Sequence, residues 1–294
     1  MTEFDKFIAD EVAKYKGNSF PLKASLLERA LVRKVSYKKL HPNPEDEFCI
    51  PAVGPSYRII NEYVQKMVED KYDGLFSGVE DRNITVEKMY PDGYMILNGH
   101  HRWAAYMRIG AKKVPIHIVN LTNSHDIFQM LNNSKYDKRV TINLDEVMFR
   151  HVKDENVEKG LGFPFKKVYK EHLLKGLPAV CNHLANDGYD IWVYTTGLYS
   201  REYIHRLLKF YHIDTNFIVT GATRFDTTDS KEKKQLAELF AKKYDVTIHI
   251  YGEALLYVKR SAKKSLHYEL HKDSWSGDTI EILDEIHKKE IAAI

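Results

Sequence analysis

A regular alternation of strand and helix patterns over residues 139–251 constrains the fold more than any other feature of the sequence. Four apolar, strand-like runs stand in this half: "VTINL", "YDIWVYT", "NFIVTG" and "VTIHIYG". Three helical patterns separate them: "KKVYKEHLLKGLPAVCNHLANDG", "SREYIHRLLKFYHI" and "KEKKQLAELFAKKYD". Because a helix that crosses between two strands leaves those strands parallel, the alternation predicts an α/β domain with a doubly wound, Rossmann-like parallel sheet.

The first half of the chain mixes helices and strands without this alternation. Residues 1 to about 33 predict two helices, and "VRKVSYKKLHPNPEDEF" predicts a short strand that ends in a proline-rich turn. A helix over "YRIINEYVQKMVED", a hairpin over "NITVEKMYPDGYMIL" and a strand over "KKVPIHIVN" follow. This order predicts an α+β domain over residues 1–124, a linker over 125–138 with room for a short helix, and the α/β domain over 139–294.

Composition and charge narrow the class of protein. The chain is 44% hydrophobic and 29% charged, and none of its apolar runs approaches the roughly 20 residues that span a bilayer. The net charge of +3 is modest, and lysines alternate with acids as on solvated helix faces, so DNA is not an expected partner. Cys49 and Cys181 lie far apart, which predicts neither a disulfide framework nor a zinc site. A cytoplasmic protein with no membrane partner is expected, and the amphipathic N-terminus predicts a helix rather than a signal peptide.

The stretch "ILNGHHRWAA" predicts a strand, a glycine turn and the start of a helix. Gly99, His100, His101 and Arg102 fall at the helix start, where free backbone N–H groups and the positive end of the helix dipole favour an anion. Arg102 adds a forked donor suited to phosphate oxygens. Adjacent helical residues diverge by about 100 degrees, so at most one of the two histidines faces a given ligand. The pattern therefore predicts a phosphate-binding turn, although a polar helix start with no ligand fits the same residues.

Residues 33 to about 120 resemble the ParB/sulfiredoxin-like superfamily. The resemblance rests on the proline-containing turn after the first strand, on Gly99, Arg102 and Ala105 in a Gly-x-x-Arg-x-x-Ala pattern, and on "RIGAKKVPIHIV". Members bind nucleotide phosphates with this turn, which implies a nucleotide here. The Gly-Glu-Arg-Arg turn and helix-turn-helix of partition proteins are missing, and His100 stands where sulfiredoxins place their cysteine.

Within that superfamily, "GHHR" is most similar to the free serine kinase branch, which reads Asp-Gly-His-His-Arg and takes serine as substrate with a nucleotide donor. The resemblance implies a catalytic Asp at position 98 and a catalytic Glu near the proline-containing turn. Asn98 stands at the first position, and an amide can orient a hydroxyl but cannot accept its proton. Glu45 is the nearest match to the second, offset by one residue, with Asp46 and Glu47 as rivals.

Residues 140 to about 260 resemble the haloacid dehalogenase-like superfamily through "TINLDEVMFR", "WVYTTG" and "IHIYGEA". The resemblance implies that Asp145 is a nucleophile after the first strand, with a proton-transferring acid two residues later. Val147 occupies that second position and cannot transfer a proton. A phosphatase built on this half is therefore expected to be degenerate.

The remaining positions of that resemblance are the phosphate-contacting and metal-binding ones. Thr195 (or Thr196) matches the family's threonine, and Lys231 matches its lysine, with Lys233 and Lys234 as close rivals. Glu253 stands where acids hold magnesium, so that Asp145 and Glu253 are the implied metal ligands.

Taken together, these patterns predict a protein that binds a nucleotide (ATP, ADP or CTP) or a phosphorylated small molecule at the GHHR turn. A small-molecule substrate is the expected partner, and magnesium is a candidate cofactor. Phosphotransfer of the kinase type is the leading reading. A non-catalytic sensor or interaction protein with degenerate sites is the first alternative, and a weak haloacid dehalogenase-type phosphatase is the second.

Overall fold

The computed structural model describes residues 2–15, 17–73, 83–149, 156–223 and 230–291. The chain divides into two compact units, Met1–Asn120 and Leu121–Ile294. In the described ranges no helix combines the length and the apolar character that crossing a membrane requires. Cys49 and Cys181 are both free thiols, as the sequence predicts.

The first unit is an α+β fold built on one mixed sheet. Its helices are α1 (Glu3–Tyr15), α2 (Leu26–Leu31), α3 (Tyr57–Asp73) and α4 (His100–Arg108). Its strands are β1 (Phe20–Pro21), β2 (Lys34–Val35), β3 (Leu40–His41), β4 (Ile84–Tyr90), β5 (Tyr94–Asn98) and β6 (Val114–Ile118). The sheet order is β2-β6-β4-β5-β3, with β1 paired to the end of β4.

Alternating burial along β4, β5 and β6 explains how this sheet holds α4 in place. Ile84, Ile96 and Ile116 are fully buried and face Trp103, Ala104 and Ala105 of α4 within one core. Strand β5 runs into α4 with only Gly99 between them, so the sheet fixes where the helix begins. The predicted hairpin and the 100–110 helix are both present in this unit.

The second unit is an α/β fold on a six-stranded sheet. Its strands include β7 (Lys138–Asn143), β8 (Met148–Phe149), β9 (His172–Leu173), β10 (Tyr189–Thr195), β11 (Phe217–Thr220), β12 (Val246–Ile250), β13 (Ala254–Lys259) and β14 (Lys264–Glu269). Its helices include α5 (Ser124–Asn133), α6 (Leu144–Val147), α7 (Leu177–Asn186), α8 (Arg201–Phe210), α9 (Ser230–Lys243) and α10 (Trp275–Ile291). The order is β11-β10-β7-β12-β13-β14, with β8 and β9 in a separate pair.

Helices cover both faces of this sheet, as a doubly wound fold requires. Helices α7, α8 and α10 share the larger core with the β7 residues Val140 and Ile142. On the opposite face, α5 and α9 pack with Trp192 of β10. The four parallel strands β11, β10, β7 and β12 are those that the alternation predicts. The antiparallel strands β13 and β14 at the edge of the sheet do not follow from the alternation.

Two segments differ from the sequence prediction. Residues 125–138, expected to be a linker, fold into the second unit, because the capping box of Asn123 and Asp126 starts α5 and its buried side chains Ile127 and Met130 join the core. The long helix predicted over residues 166–188 is confined to Leu177–Asn186, since Gly176 is left-handed and Pro178 stands in the first turn.

Candidate functional site

The turn between β5 and α4 is held open by Gly99. Its φ of 102° is in the left-handed region, and a Cβ at this position would lie 3.1 Å from two nitrogens of Arg102. In this part of the described chain no side chain caps α4, and its first turn carries no acid. The first N–H groups of a helix have no intrahelical acceptor, so these backbone amides have donors that the helix itself does not use.

The Arg102 side chain folds back over this turn. Its Nη2 donates a 2.6 Å hydrogen bond to Oδ1 of Asn98, and this bond spans the last residue of β5 and the first turn of α4. Asn98 is exposed and Arg102 is partly buried, so this hydrogen bond lies at the surface of the turn. The amide at position 98 therefore orients a cation.

His100 is buried and joins α4 to the proline-containing loop. Its Nε2 accepts a 3.1 Å hydrogen bond from the backbone N–H of Asn43, and its Nδ1 lies 3.3 Å from Oδ2 of Asp46. Burial lowers the pKa of His100 to about 4, with a smaller opposing effect of Asp46 and a further lowering by His101. The ring is therefore neutral near pH 7, and its Nδ1–H faces the Asp46 carboxylate.

His101 forms the second link to the same loop. Its Nε2 accepts a 3.1 Å hydrogen bond from the backbone N–H of Ser56, and burial lowers its pKa below the ordinary value. The ring of Phe48 packs between the two imidazoles, with ring centroids 5.5 Å from His100 and 5.0 Å from His101. Both ring nitrogens that face the loop act as acceptors, so the histidines position the turn and leave Arg102 as its cation.

The three candidate acids of the loop have different environments. Asp46 caps a short 3-10 turn, since its Oδ1 accepts a 3.0 Å hydrogen bond from the N–H of Phe48, and it also faces His100. Glu45 is exposed and its backbone N–H donates to Oδ1 of Asn43. Glu47 is exposed as well. Asp46 is therefore the acid that contacts His100 of α4, and Glu45 precedes it on the surface of the same loop.

In the second unit, Asp145 fastens two strand ends together. Its Oδ1 accepts a 2.5 Å hydrogen bond from the Thr195 hydroxyl, and its Oδ2 accepts 2.7 Å bonds from the N–H and the hydroxyl of Thr196. The sequence does not distinguish Thr195 from Thr196, and both threonines donate hydrogen bonds to the Asp145 carboxylate. With both of its oxygens bonded, Asp145 holds the end of β10 beside the end of β7.

The other residues of the expected phosphatase site do not complete it. Val147 is fully buried in the core, so its position does not face the pocket. Glu253 is exposed in the turn after β12, while Glu146 accepts the Gly252 N–H at 2.6 Å. Lys231 is exposed near the start of α9 and, like Glu253, does not line the pocket at Asp145.

The described residues of this site offer few ligands for a metal ion. Within the described ranges, no group of three or more His, Cys, Asp or Glu side chains is arranged to hold a metal ion. Magnesium prefers several oxygen ligands, and the Asp145 carboxylate is already hydrogen-bonded at both oxygens. These residues do not fit the predicted metal site of Asp145 and Glu253.

Asp145 lies in a pocket of about 380 Å³ on the face of the sheet that α5 and α9 cover. The pocket is lined by Arg139, Thr141, Ile142, Asn143, Asp145, Tyr194, Thr195, Thr196, Ala222, His249, Ile250 and Tyr251. Sequence reasoning missed Arg139, Tyr194 and His249. The alternation of polar residues in "RVTIN" carried the signal, because Arg139, Thr141 and Asn143 share one face of β7.

Comparison with known proteins supports the expected fold of the first half. Residues 25–134 match the family described as the ParB N-terminal domain. No curated protein matches the chain. A solved structure of free serine kinase in complex with AMP is 15% identical, covering 80% of this chain and 90% of that chain with a TM-score of 0.22. A conserved hypothetical protein from Pyrococcus furiosus is 13% identical, with 87% and 100% covered and a TM-score of 0.22.

The family match over residues 25–134 supports a ParB-like domain in the first half of the chain. A TM-score of 0.22 is too low to add to that conclusion. The haloacid dehalogenase-like resemblance of the second half stays a prediction.

The buried, neutral His100 predicts a pH-dependent stability. A folded-state pKa of about 4 lies below the ordinary value of 6.5, so protons bind the unfolded chain first as the pH falls, and stability is lost between about pH 6.5 and 4. We expect the free energy of unfolding to fall by about 2 kcal/mol more between pH 7 and pH 5 in the parent than in His100→Gln, measured by urea unfolding at each pH.

The exposed His287 provides the control for this measurement. His287→Gln is expected to keep the parental pH dependence. If His100→Gln and the parent lose stability equally on acidification, His100 is not buried in its neutral form.

Proposed function

We propose that residues 98–102 bind the phosphate group of a nucleotide or of a phosphorylated small molecule. The observation that carries this proposal is the uncapped start of α4 with Arg102 folded over Gly99. Backbone amides and a guanidinium at one turn are the donors that phosphate oxygens accept. The absence of an acid from the first turn of α4 favours the same ligand, because an acid there would compete with it.

The protonation states of the side chains in this turn support different roles for the two histidines and for Arg102. His100 and His101 have lowered pKa values and use their Nε2 atoms as acceptors for the loop, so they add no positive charge at neutral pH. Arg102 supplies the charge, and the Asn98 amide holds it in place. The histidines determine instead where the loop of residues 43–56 lies relative to the bound phosphate.

A nucleotide is the ligand that the resemblance of the GHHR turn implies, and the ParB N-terminal match over residues 25–134 supports that choice. ATP, ADP and CTP are all compatible with a site that contacts phosphate.

Removing the Arg102 guanidinium is expected to weaken nucleotide binding. A hydrogen bond to a charged group is worth about 1.5–3 kcal/mol, so Arg102→Ala should raise the Kd for ATP, ADP or CTP roughly 10- to 150-fold in calorimetry. Arg108→Ala is the matched control, because Arg108 ends the same helix and its guanidinium bonds Asn61. Equal losses in both variants, or no loss in Arg102→Ala, would contradict the assignment.

A second candidate function, phosphoryl transfer to a small hydroxyl substrate, is favoured by the loop that His100 holds at the turn. Glu45 and Asp46 carry carboxylates on this loop, and a positioned carboxylate can take the proton of an attacking hydroxyl. Glu45 is the proposed base, because the resemblance to the kinase branch implies a catalytic Glu near this turn and the Glu45 side chain is exposed to solvent. Asn98 would orient the substrate hydroxyl or Arg102 without taking a proton.

Asn98→Asp tests this second function directly. The carboxylate would keep the bond to Arg102 and add the group that the kinase branch carries, so we expect turnover of serine with ADP or ATP and magnesium to rise at least tenfold. Asn61→Asp is the control, since Asn61 accepts a bond from Arg108 at the far end of α4. Phosphoserine formation would be followed by phosphorus NMR.

Absence of turnover in both the parent and Asn98→Asp, with nucleotide binding intact, would remove the kinase reading. The non-catalytic sensor would then be the function of the same site. The phosphatase alternative gains no support from the second unit, where Val147 is in the core and both Asp145 oxygens are hydrogen-bonded.

A further inference from the structure

Arg139 is a partly buried cation in the pocket of the second unit. Its guanidinium carbon lies 4.3 Å from the ring centroid of Phe240 and 5.3 Å from that of Tyr244, and its Nε donates a 3.1 Å hydrogen bond to Oγ1 of Thr247. Across the described ranges, no carboxylate lies within ion-pair distance of this guanidinium. Since burying a charge without a counter-charge is costly, an anion is the partner that this arrangement calls for.

The pocket-lining groups His249 and Tyr194 near Arg139 are neutral, and Asp190, the neighbour of Arg139 across β7 and β10, accepts hydrogen bonds from Ser134 and Tyr244. Burial and the neighbouring Arg139 lower the pKa of His249, whose Nδ1 lies 2.7 Å from the Thr141 hydroxyl. Burial raises the pKa of Tyr194 to about 12, so its hydroxyl stays protonated, and that hydroxyl bonds no residue of the described chain. The Arg139 end of the pocket therefore presents positive charge and donors.

The negative end of the pocket is separate. Arg139 and Asn143 lie four residues apart on β7, which is about 13 Å along the strand, and Asp145 follows Asn143. A ligand anion at Arg139 therefore does not meet the Asp145 carboxylate. Ala222, Ile250 and Tyr251 supply an apolar lining between polar groups.

We infer that this pocket binds a small molecule that carries a carboxylate or phosphate group, with its oxyanion on the Arg139 guanidinium and its apolar body along Ala222, Ile250 and Tyr251. The volume of about 380 Å³ is in the range of small-molecule sites. The site lies in the second unit and requires neither nucleotide binding at Gly99 nor chemistry at Asp145.

The test compares three probes of one shape by ligand-observed NMR and calorimetry: benzoate, phenyl phosphate and the neutral benzamide. At least one of the two anions is expected to bind at least tenfold more tightly than benzamide. Benzoate against phenyl phosphate then decides between a carboxylate and a phosphate ligand. Absence of binding by both anions, or equal binding of benzamide, would overturn the inference.

Single substitutions test whether the probe binds at Arg139. Arg139→Gln is expected to weaken the anion at least tenfold, whereas Arg206→Gln, which removes an exposed arginine of α8 in the same unit, should leave it unchanged. Tyr194→Phe removes one hydroxyl, keeps the ring, and should weaken the anion several-fold. Tyr194→Phe also tests the location of the probe if Arg139→Gln does not fold.

Anion binding that survives both Arg139→Gln and Tyr194→Phe would overturn the assignment. Anion binding that is lost in Arg102→Ala instead would place the probe at the turn of the first unit and would also overturn it. The two proposals can therefore fail separately.

Discussion

The hydrogen bond from the Asn43 backbone N–H to the buried ring of His100 fixes the geometry of the first unit's site. It holds only while the imidazole is neutral, because a protonated Nε2 would be a donor facing another donor. Burial lowers the pKa of His100 to about 4 and thereby supplies that condition at neutral pH. The acid-bearing loop, the glycine turn and the start of α4 are thus joined by one uncharged ring.

With both histidines neutral, the positive charge of this turn lies on Arg102. The imidazoles of His100 and His101 bind the loop, and Arg102 stays over Gly99 with its bond to Asn98. A cluster that looks threefold cationic in sequence is, when folded, one cation beside a set of backbone amides. Backbone amides and a guanidinium are the donors that phosphate oxygens accept, which is the basis of the proposed site.

The order of elements could be predicted from the sequence because hydrophobic periodicity reflects burial. The four parallel strands of the second unit and the strand–glycine–helix of the first follow from it. The role of the histidines could not be predicted, since their partners Asn43 and Ser56 lie 57 and 45 residues away. Likewise, the pattern of "LDEV" gave no sign that Val147 faces the core and that Glu146 reaches Gly252.

The Arg139 pocket could likewise be predicted only in part from the sequence. Alternation along β7 places Arg139, Thr141 and Asn143 on one face, but the contacts of Arg139 with Thr247 of β12 and Phe240 of α9 depend on the packing of distant segments. Helix α5 is the short helix that the linker prediction allows, and its apolar side chains Ile127, Met130 and Leu131 pack it into the core of the second unit.

The most direct measurement of the central claim is the backbone amide spectrum of the isotope-labelled protein during titration with ATP. The account predicts that the amide resonances of Gly99, His100, His101 and Arg102 shift saturably and together, because phosphate oxygens accept from the start of α4. The Kd from these shifts should equal that from calorimetry. Saturable shifts confined to residues of the second unit, with the 99–102 amides unmoved, would contradict the account.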